Sequence, residues 1–260
     1  MTVILEARSL RKAFGGLVAV DGVSLGIAAG SMHSIIGPNG AGKTTFFNLL
    51  SGRFKPTAGS ILYQGRDITA LPVHRRAHLG IGRSFQITNI FPNLTVYENA
   101  RLAAQAIGRD SFQFLRPAAA FRRYQQRAEE VLALTGLTGA AYQLASALPH
   151  GGKRKLELAM ILAGDPQVLL LDEPTAGMAS EQVPELLQVI DSIRRQGHKT
   201  IVMVEHNMSV VMGISDVITV MHQGQLLAQG TPAAIAANRT VQDVYLGELY
   251  DRDLPQGEGA

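Results

Sequence analysis

Cysteine is absent from the 260 residues. Disulfides, zinc–thiolate sites, iron–sulfur clusters and cysteine nucleophiles are thereby excluded. Charge is scarce: Asp, Glu, Lys and Arg make up 17% of the chain, against roughly 25% in an average soluble protein. A highly charged disordered tail is excluded, and the shortage fits a surface partly covered by a partner. A net charge of +3 makes no electrostatic case for nucleic acid, and none is expected as a partner. No window holds the roughly 18 uninterrupted apolar residues that a membrane span needs. Too few apolar residues precede Glu6 and Arg8 to form the apolar core of a signal peptide. There is no solenoid-period repeat and no low-complexity tract. The expectation is a cytosolic globular protein of one large domain, or one domain with an insert. Any work at a membrane would go through the helices of other subunits.

What is present divides into three textures. The first ninety residues read as short strands and turns: Val3–Arg8, Val18–Ile27, Ser31–Ile36 and Ser60–Tyr63. A helix is expected from Gly42, burying Phe46, Phe47, Leu49 and Leu50. From about Thr88 to about Ala163 the chain turns helical, with helices over Asn99–Ile107 and Ala118–Leu134. Arg101, Arg109, Arg116, Arg122, Arg123 and Arg127 make this stretch basic. It reads as a solvated helix face, with docking to acidic lipid or RNA as the alternative. Strands resume at Gln167–Leu171, Thr200–Val204, Val217–His222 and Gln225–Ala228, with helices Gln182–Arg195 and Asn207–Gly213 between them. A further helix is expected to start at Gly230-Thr231-Pro232. This alternation predicts an α/β fold with a parallel central sheet and a helical insert.

Gly37-Pro38-Asn39-Gly40-Ala41-Gly42-Lys43-Thr44 fits G-x-x-x-x-G-K-[ST] between a strand and a helix, and Thr45 follows. The glycines let successive N–H groups turn inward around a phosphate, and the helix N-terminus adds positive potential. Lys43 suits the β- and γ-phosphates, and the Thr44 hydroxyl suits Mg²⁺. Downstream, Val168–Leu171 leads into Asp172-Glu173-Pro174. Two carboxylates then stand at the C-terminal edge of a buried strand, where open α/β sheets bind ligands. Asp172 suits indirect Mg²⁺ coordination, and Glu173 suits polarising an attacking water.

With these motifs in place the chain resembles the nucleotide-binding subunit of an ATP-binding cassette (ABC) transporter, from about Leu5 to Gly247. The resemblance implies a P-loop NTPase core with a mostly parallel sheet, an antiparallel β subdomain and an inserted α-helical subdomain. It places core and β subdomain at about 1–87 and 164–230, the helical subdomain at 88–163 and a C-terminal extension at 231–260. It implies ATP and Mg²⁺ as cofactors. Phe14 matches the aromatic that stacks on adenine. Gln86, in Arg83-Ser84-Phe85-Gln86, matches the glutamine that reaches Mg²⁺ and the water. His206, in Val204-Glu205-His206, matches the γ-phosphate-sensing histidine. Ala176-Gly177-Met178-Ala179 matches the D-loop, which meets the opposite subunit.

Phe14–Leu17, Ile90–Asn99, Thr175–Met178 and Tyr245–Gly247 are similar to the branched-chain amino acid importers, and there to the first of two unlike ATPase subunits. Importers of urea, amides and aromatic acids share much of this texture. The implied partners are a second ABC ATPase subunit, two membrane permease subunits and a separate periplasmic or extracellular solute-binding protein. The implied place is the cytoplasmic face of the plasma membrane. A chromosome-type ABC ATPase would need a long coiled coil between the phosphate loop and the acidic pair. A translation-associated one would carry two cassettes, and a P-loop kinase would lack the Gln86, signature and His206 set. A regulatory module that holds ATP without hydrolysing it is opposed by Glu173.

One motif departs from the family. The signature usually reads Leu-Ser-Gly-Gly-Gln, or Leu-Ser-aromatic-Gly-Gln in this subfamily. Here it is Leu148-Pro149-His150-Gly151-Gly152. Pro149 replaces the serine that would bond the partner's γ-phosphate and has neither hydroxyl nor N–H. The expectation is a heterodimer with unequal sites, the more active one using Lys43 and Glu173 of this chain; the alternative is drift at a tolerant position.

Overall fold

The computed structural model describes residues 2–84, 90–108, 121–197 and 199–245. Its packing separates two units, Met1–Ala70 with Val204–Ala260, and Leu71–Met203.

The first unit opens with β1 (Val3–Phe14) and β2 (Leu17–Ala28), paired antiparallel. The sequence reads β1 as ending at Arg8, because alternation breaks at Ser9. There the backbone takes φ 44° and its N–H donates to Ser24 Oγ at 2.8 Å. The register shifts between Ala7 and Leu10, and the strand then continues to Phe14. With β4 (Ala58–Tyr63) and β5 (Arg66–Asp67) these strands form an antiparallel sheet of order β2-β1-β4-β5. β3 (Met32–Ile36), buried throughout, lies parallel to β9 (Val217–His222), which pairs antiparallel with β10 (Gln225–Gly230). α1 (Lys43–Ser51) buries Phe46, Phe47, Leu49 and Leu50 as expected. α7 (Met208–Ile214) is capped by Asn207 and α8 (Pro232–Ala236) by Thr231. Ile36, Val211, Ile218, Val220, Ile235 and Val241 pack into one cluster. Each such side chain contributes about 1.5–3 kcal/mol on burial.

In the second unit β6 (Ile81–Arg83) runs parallel to β7 (Val168–Asp172), in the order β8-β7-β6 with β8 (Thr200–Val204). β6 and α2 (Val73–His78) have no sequence signal. β6 is three residues long, and α2 has mainly polar residues yet buries Arg76, whose Nε donates to Leu71 O at 2.9 Å. Helices α3 (Val96–Ile107), α4 (Arg122–Leu134) and α5 (His150–Ala163) pack on one another, and α6 (Val183–Gly197) follows. Thr95 N-caps α3, its Oγ1 accepting from the Glu98 N–H at 3.1 Å. Fully buried Asn99 accepts from Phe91 N–H at 2.7 Å and donates to the carbonyls of Phe91 (3.0 Å) and Thr95 (2.9 Å). That amide fixes the path of the Ile90–Asn99 motif.

The basic stretch is solvated only in part: Arg122 and Arg123 are exposed as expected, whereas Arg101 and Arg127 are held by partners. Arg101 is buried and pairs with Glu98 at 2.7 Å. Arg123 stacks over Tyr124, 4.7 Å from the ring centroid. Arg127 caps the end of α5, donating to Leu162 O at 2.6 Å, and meets Glu130 and Asp165. Arg109, Arg116 and the start of the Ala118–Leu134 helix lie outside the described residues.

Candidate functional site: a phosphate loop and an acidic strand edge

β3 delivers the chain into Gly37, whose φ of 150° brings it against β9: a Cβ there would stand 2.1 Å from Met221 O. Gly42 has φ 92°, and its Cβ would stand 2.3 Å from Ala19 O. At both positions any other residue would collide with backbone. Gly40 also has positive φ, 78°, but faces open space. The Gly224 N–H donates to Ala41 O at 3.0 Å and Asp21 N–H to Gly224 O at 2.8 Å, tying the loop down. Lys43, 5% exposed, donates to the carbonyls of Gly37 (2.6 Å) and Pro38 (2.7 Å). Asn39 and Gly40 are exposed at the rim. Thr44 is exposed and Thr45 half-buried in the first turn of α1. No side chain caps that helix. An uncapped N-terminus, a left-handed glycine turn and a held ammonium suit a polyphosphate. ATP therefore fits this loop.

In the same unit Phe14 ends β1, 43% exposed as a residue. Phe54 meets it edge-on, centroids 5.5 Å apart at 77°. Lys12 Nζ lies 5.0 Å from the Phe14 centroid and donates to Lys55 O at 2.9 Å. Phe14 thus combines a supporting ring with an exposed aromatic surface. His206 follows β8 with its side chain exposed, and its N–H donates to Glu205 Oε2 at 3.1 Å.

In the second unit the acidic pair stands where β7 ends. The Asp172 carboxylate is buried, 1% exposed as a residue. Glu173 has φ 47°, a left-handed conformation costly for a residue with Cβ. That turn breaks the strand and leaves Glu173 half-buried. Strain of this kind concentrates at functional sites. The donor here is a hard carboxylate oxygen, of a kind that fits Mg²⁺; the Thr44 hydroxyl, taken by itself, is a hard oxygen donor too. Gln86 lies outside the described residues.

The signature stretch runs into α5. Exposed Pro149 is its N-cap (φ −63°, ψ 167°) without a capping side chain, and His150, Gly151 and Gly152 form its first turn. Proline suits a helix start but contributes no hydroxyl. Leu148 is buried beneath. A Cβ on Gly151 would stand 2.8 Å from Gln182 Oε1, and one on Gly152 3.3 Å from Leu148 Cβ. A Cβ on Gly177 (φ 74°) would stand 3.4 Å from the His150 ring, so signature and D-loop are adjacent within this unit. Around it Ala176 and Met178 are half-buried and Ala179 exposed.

Three groups escape the sequence reading. Arg83 lies 3.7 Å from Asp172, both side chains buried. Arg154 and Glu157 form a buried pair at 3.1 Å on α5. With Ser84 they line a cavity of about 20 Å³. The i, i+3 spacing of Arg154 and Glu157 was the only available signal; Arg83 gave none.

Comparison with known proteins agrees with this geometry. The family described as "ABC transporter" matches residues 20–176, and "Branched-chain amino acid ATP-binding cassette transporter" matches residues 225–251. The chain is 42% identical over 250 residues to LivG of Escherichia coli K12, a high-affinity branched-chain amino acid transport ATP-binding protein, covering 94% of this chain and 98% of LivG. It is similar to the solved ADP conformation of MJ1267, an ATP-binding cassette of an ABC transporter, with TM-score 0.82, 26% identity, and coverage of 95% and 100%. It is also similar to a dimeric cassette, MJ0796, solved in a post-hydrolysis state bound to ADP and Pi, with TM-score 0.75, 25% identity, and coverage of 88% and 99%.

Proposed function

The chain belongs to the ABC transporter ATPase family, and from that premise we propose that it binds and hydrolyses ATP to energise import of branched-chain amino acids. One observation carries the hydrolytic part: the strained Glu173 next to buried Asp172 at the end of β7. In the phosphate loop Lys43 and the α1 amides hold and neutralise the phosphates, and Phe14 stacks the base. Lys43 is held at the loop by the Gly37 and Pro38 carbonyls, and its ammonium would exchange those bonds for phosphate oxygens, stabilising the charge that develops there. Glu173 orients the attacking water and accepts its proton. Thr44, Asp172 and Gln86 would hold Mg²⁺, which when bound supplies Lewis-acid stabilisation of charge on the phosphates. His206 would sense the γ-phosphate.

Transporter ABC ATPases dimerise and work with membrane permease subunits. Among the described residues no helix is long and apolar enough to cross a membrane. On this reading the chain works peripherally on the cytoplasmic face, beside an unlike ATPase subunit, two permeases and a separate solute-binding protein. The heterodimer is supported by Pro149, which gives each composite site a different signature half. On this reading residues 88–163 act as the helical subdomain that passes closure to the permease, residues 1–87 and 164–230 as the core with the β subdomain, and 231–260 as an extension.

The test is Mg-ATPase activity and leucine uptake of the assembled transporter with wild-type chain and with Glu173→Gln. The expected result is a loss of about 10²-fold or more in hydrolysis with ATP binding kept. Equal hydrolysis by both would overturn the assignment of Glu173, and hydrolysis without uptake would overturn the import reading.

A further inference from the structure

Two consecutive residues at the end of β6 converge on Asp172. The Asp172 N–H donates to Ser84 Oγ at 2.9 Å, and Ser84 N–H donates to Leu170 O at 2.8 Å. Arg83 Nη2 lies 3.7 Å from Asp172 Oδ2, with the side chains 5% and 0% exposed. The Arg83 Nε–H turns back to its neighbour, donating to Ser84 O at 3.3 Å. A buried carboxylate needs a nearby cation, because water does not screen it. Here that cation sits on the strand that leads directly into the Gln86 segment.

We infer that Arg83 is a positioning residue: it supplies the counter-charge of Asp172 and yields that role to the divalent cation, so that metal arrival is felt at the end of β6. The inference rests on Asp172 serving Mg²⁺ as proposed above. Two cations on one carboxylate repel each other, and the repulsion is strong where water is excluded. Arg83 therefore stabilises the metal-free protein and weakens metal binding. Loss of a purely structural arginine would lower stability equally with and without metal.

The experiment titrates Mg²⁺ into the full chain with a fixed concentration of non-hydrolysable ATP analogue, at about pH 8 so that the carboxylate stays ionised. Thermal unfolding is read at each point. In Arg83→Gln the metal-free Tm is expected to fall and the Mg²⁺ concentration for half-effect to fall about tenfold. Arg83→Lys, which keeps the charge, is expected to keep the wild-type half-effect. An unchanged or higher half-effect in Arg83→Gln, with Asp172→Asn abolishing the response, overturns the role of Arg83 alone. A full Mg²⁺ response in Asp172→Asn overturns the metal role of Asp172, and this inference with it. A second reading uses wild type labelled with ¹⁵N-arginine, and stands even if Arg83→Gln does not fold. The Arg83 Nε resonance, assigned by its loss in Arg83→Lys, is expected to move when Mg²⁺ joins the analogue. A resonance that stays put overturns the proposal.

Discussion

His33 Nε2 and Thr219 Oγ1 share a hydrogen bond of 2.7 Å between the parallel strands β3 and β9, with both residues almost fully buried. The imidazole stands four positions before Gly37, on the strand that presents the phosphate loop. Burial pushes its pKa down from 6.5 to about 4.

That depression makes stability depend on pH. The folded state keeps His33 neutral, while the unfolded chain takes up a proton near pH 6.5. Between about pH 6.5 and about pH 4 the unfolded state binds more protons, so stability is full above this window and falls as pH drops through it. The expected loss from His33 between about pH 7.5 and about pH 5 is about 2 kcal/mol. Urea unfolding at the two pH values, with wild type and His33→Gln, checks this; the variant should lose that share of the slope.

The loop glycines should not be equivalent. A Cβ on Gly37 meets the Met221 carbonyl, whereas one on Gly40 meets nothing within 4 Å. Gly40→Ala should cost about 1–2 kcal/mol for its left-handed backbone alone. Gly37→Ala should cost more than that and abolish ATP binding, because the loop must leave β9. Thermal unfolding and nucleotide titration separate the two.

Arg154 and Glu157 form their ion pair with each residue less than a tenth exposed, and buried Arg154 Nε has no hydrogen-bond partner among the described residues. Glu157→Leu alone strands a buried guanidinium and is expected to cost about 3–5 kcal/mol. Adding Arg154→Met should recover much of that, because an apolar pair needs no counter-charge. Denaturant midpoints for the two singles and the double give the coupling.

Pro149 caps α5 by geometry but brings no hydroxyl. Pro149→Ser should restore a capping oxygen and a donor for the partner's nucleotide. The expected outcome is a rise of severalfold in the ATPase rate of the assembled heterodimer, with Glu173→Gln in the same chain leaving that gain in place. An unchanged rate would mean that drift, not asymmetry, explains the proline.

The sequence by itself determined the chemistry and most of the scaffold. A glycine-rich loop between an apolar strand and an amphipathic helix is local information, as is an apolar run ending in Asp172-Glu173. The helix starts at Asn207 and Thr231 are legible for the same reason, since each cap acts on residues two or three positions away; α3, expected from Asn99, in fact starts a turn earlier under the Thr95 cap. Tertiary structure decided what depends on distant neighbours. Gly37 is obligatory because Met221 approaches it, and β1 outlasts its alternation because Ser24 stabilises the Ser9 break. The arginine stretch is solvated at Arg122 and Arg123, as its sequence suggests, but Glu98 and the end of α5 take up Arg101 and Arg127. Arg83 gains its meaning only where β6 lies beside β7, because a charge on a three-residue strand carries no periodic signature and its partner, Asp172, is 89 residues away in the chain.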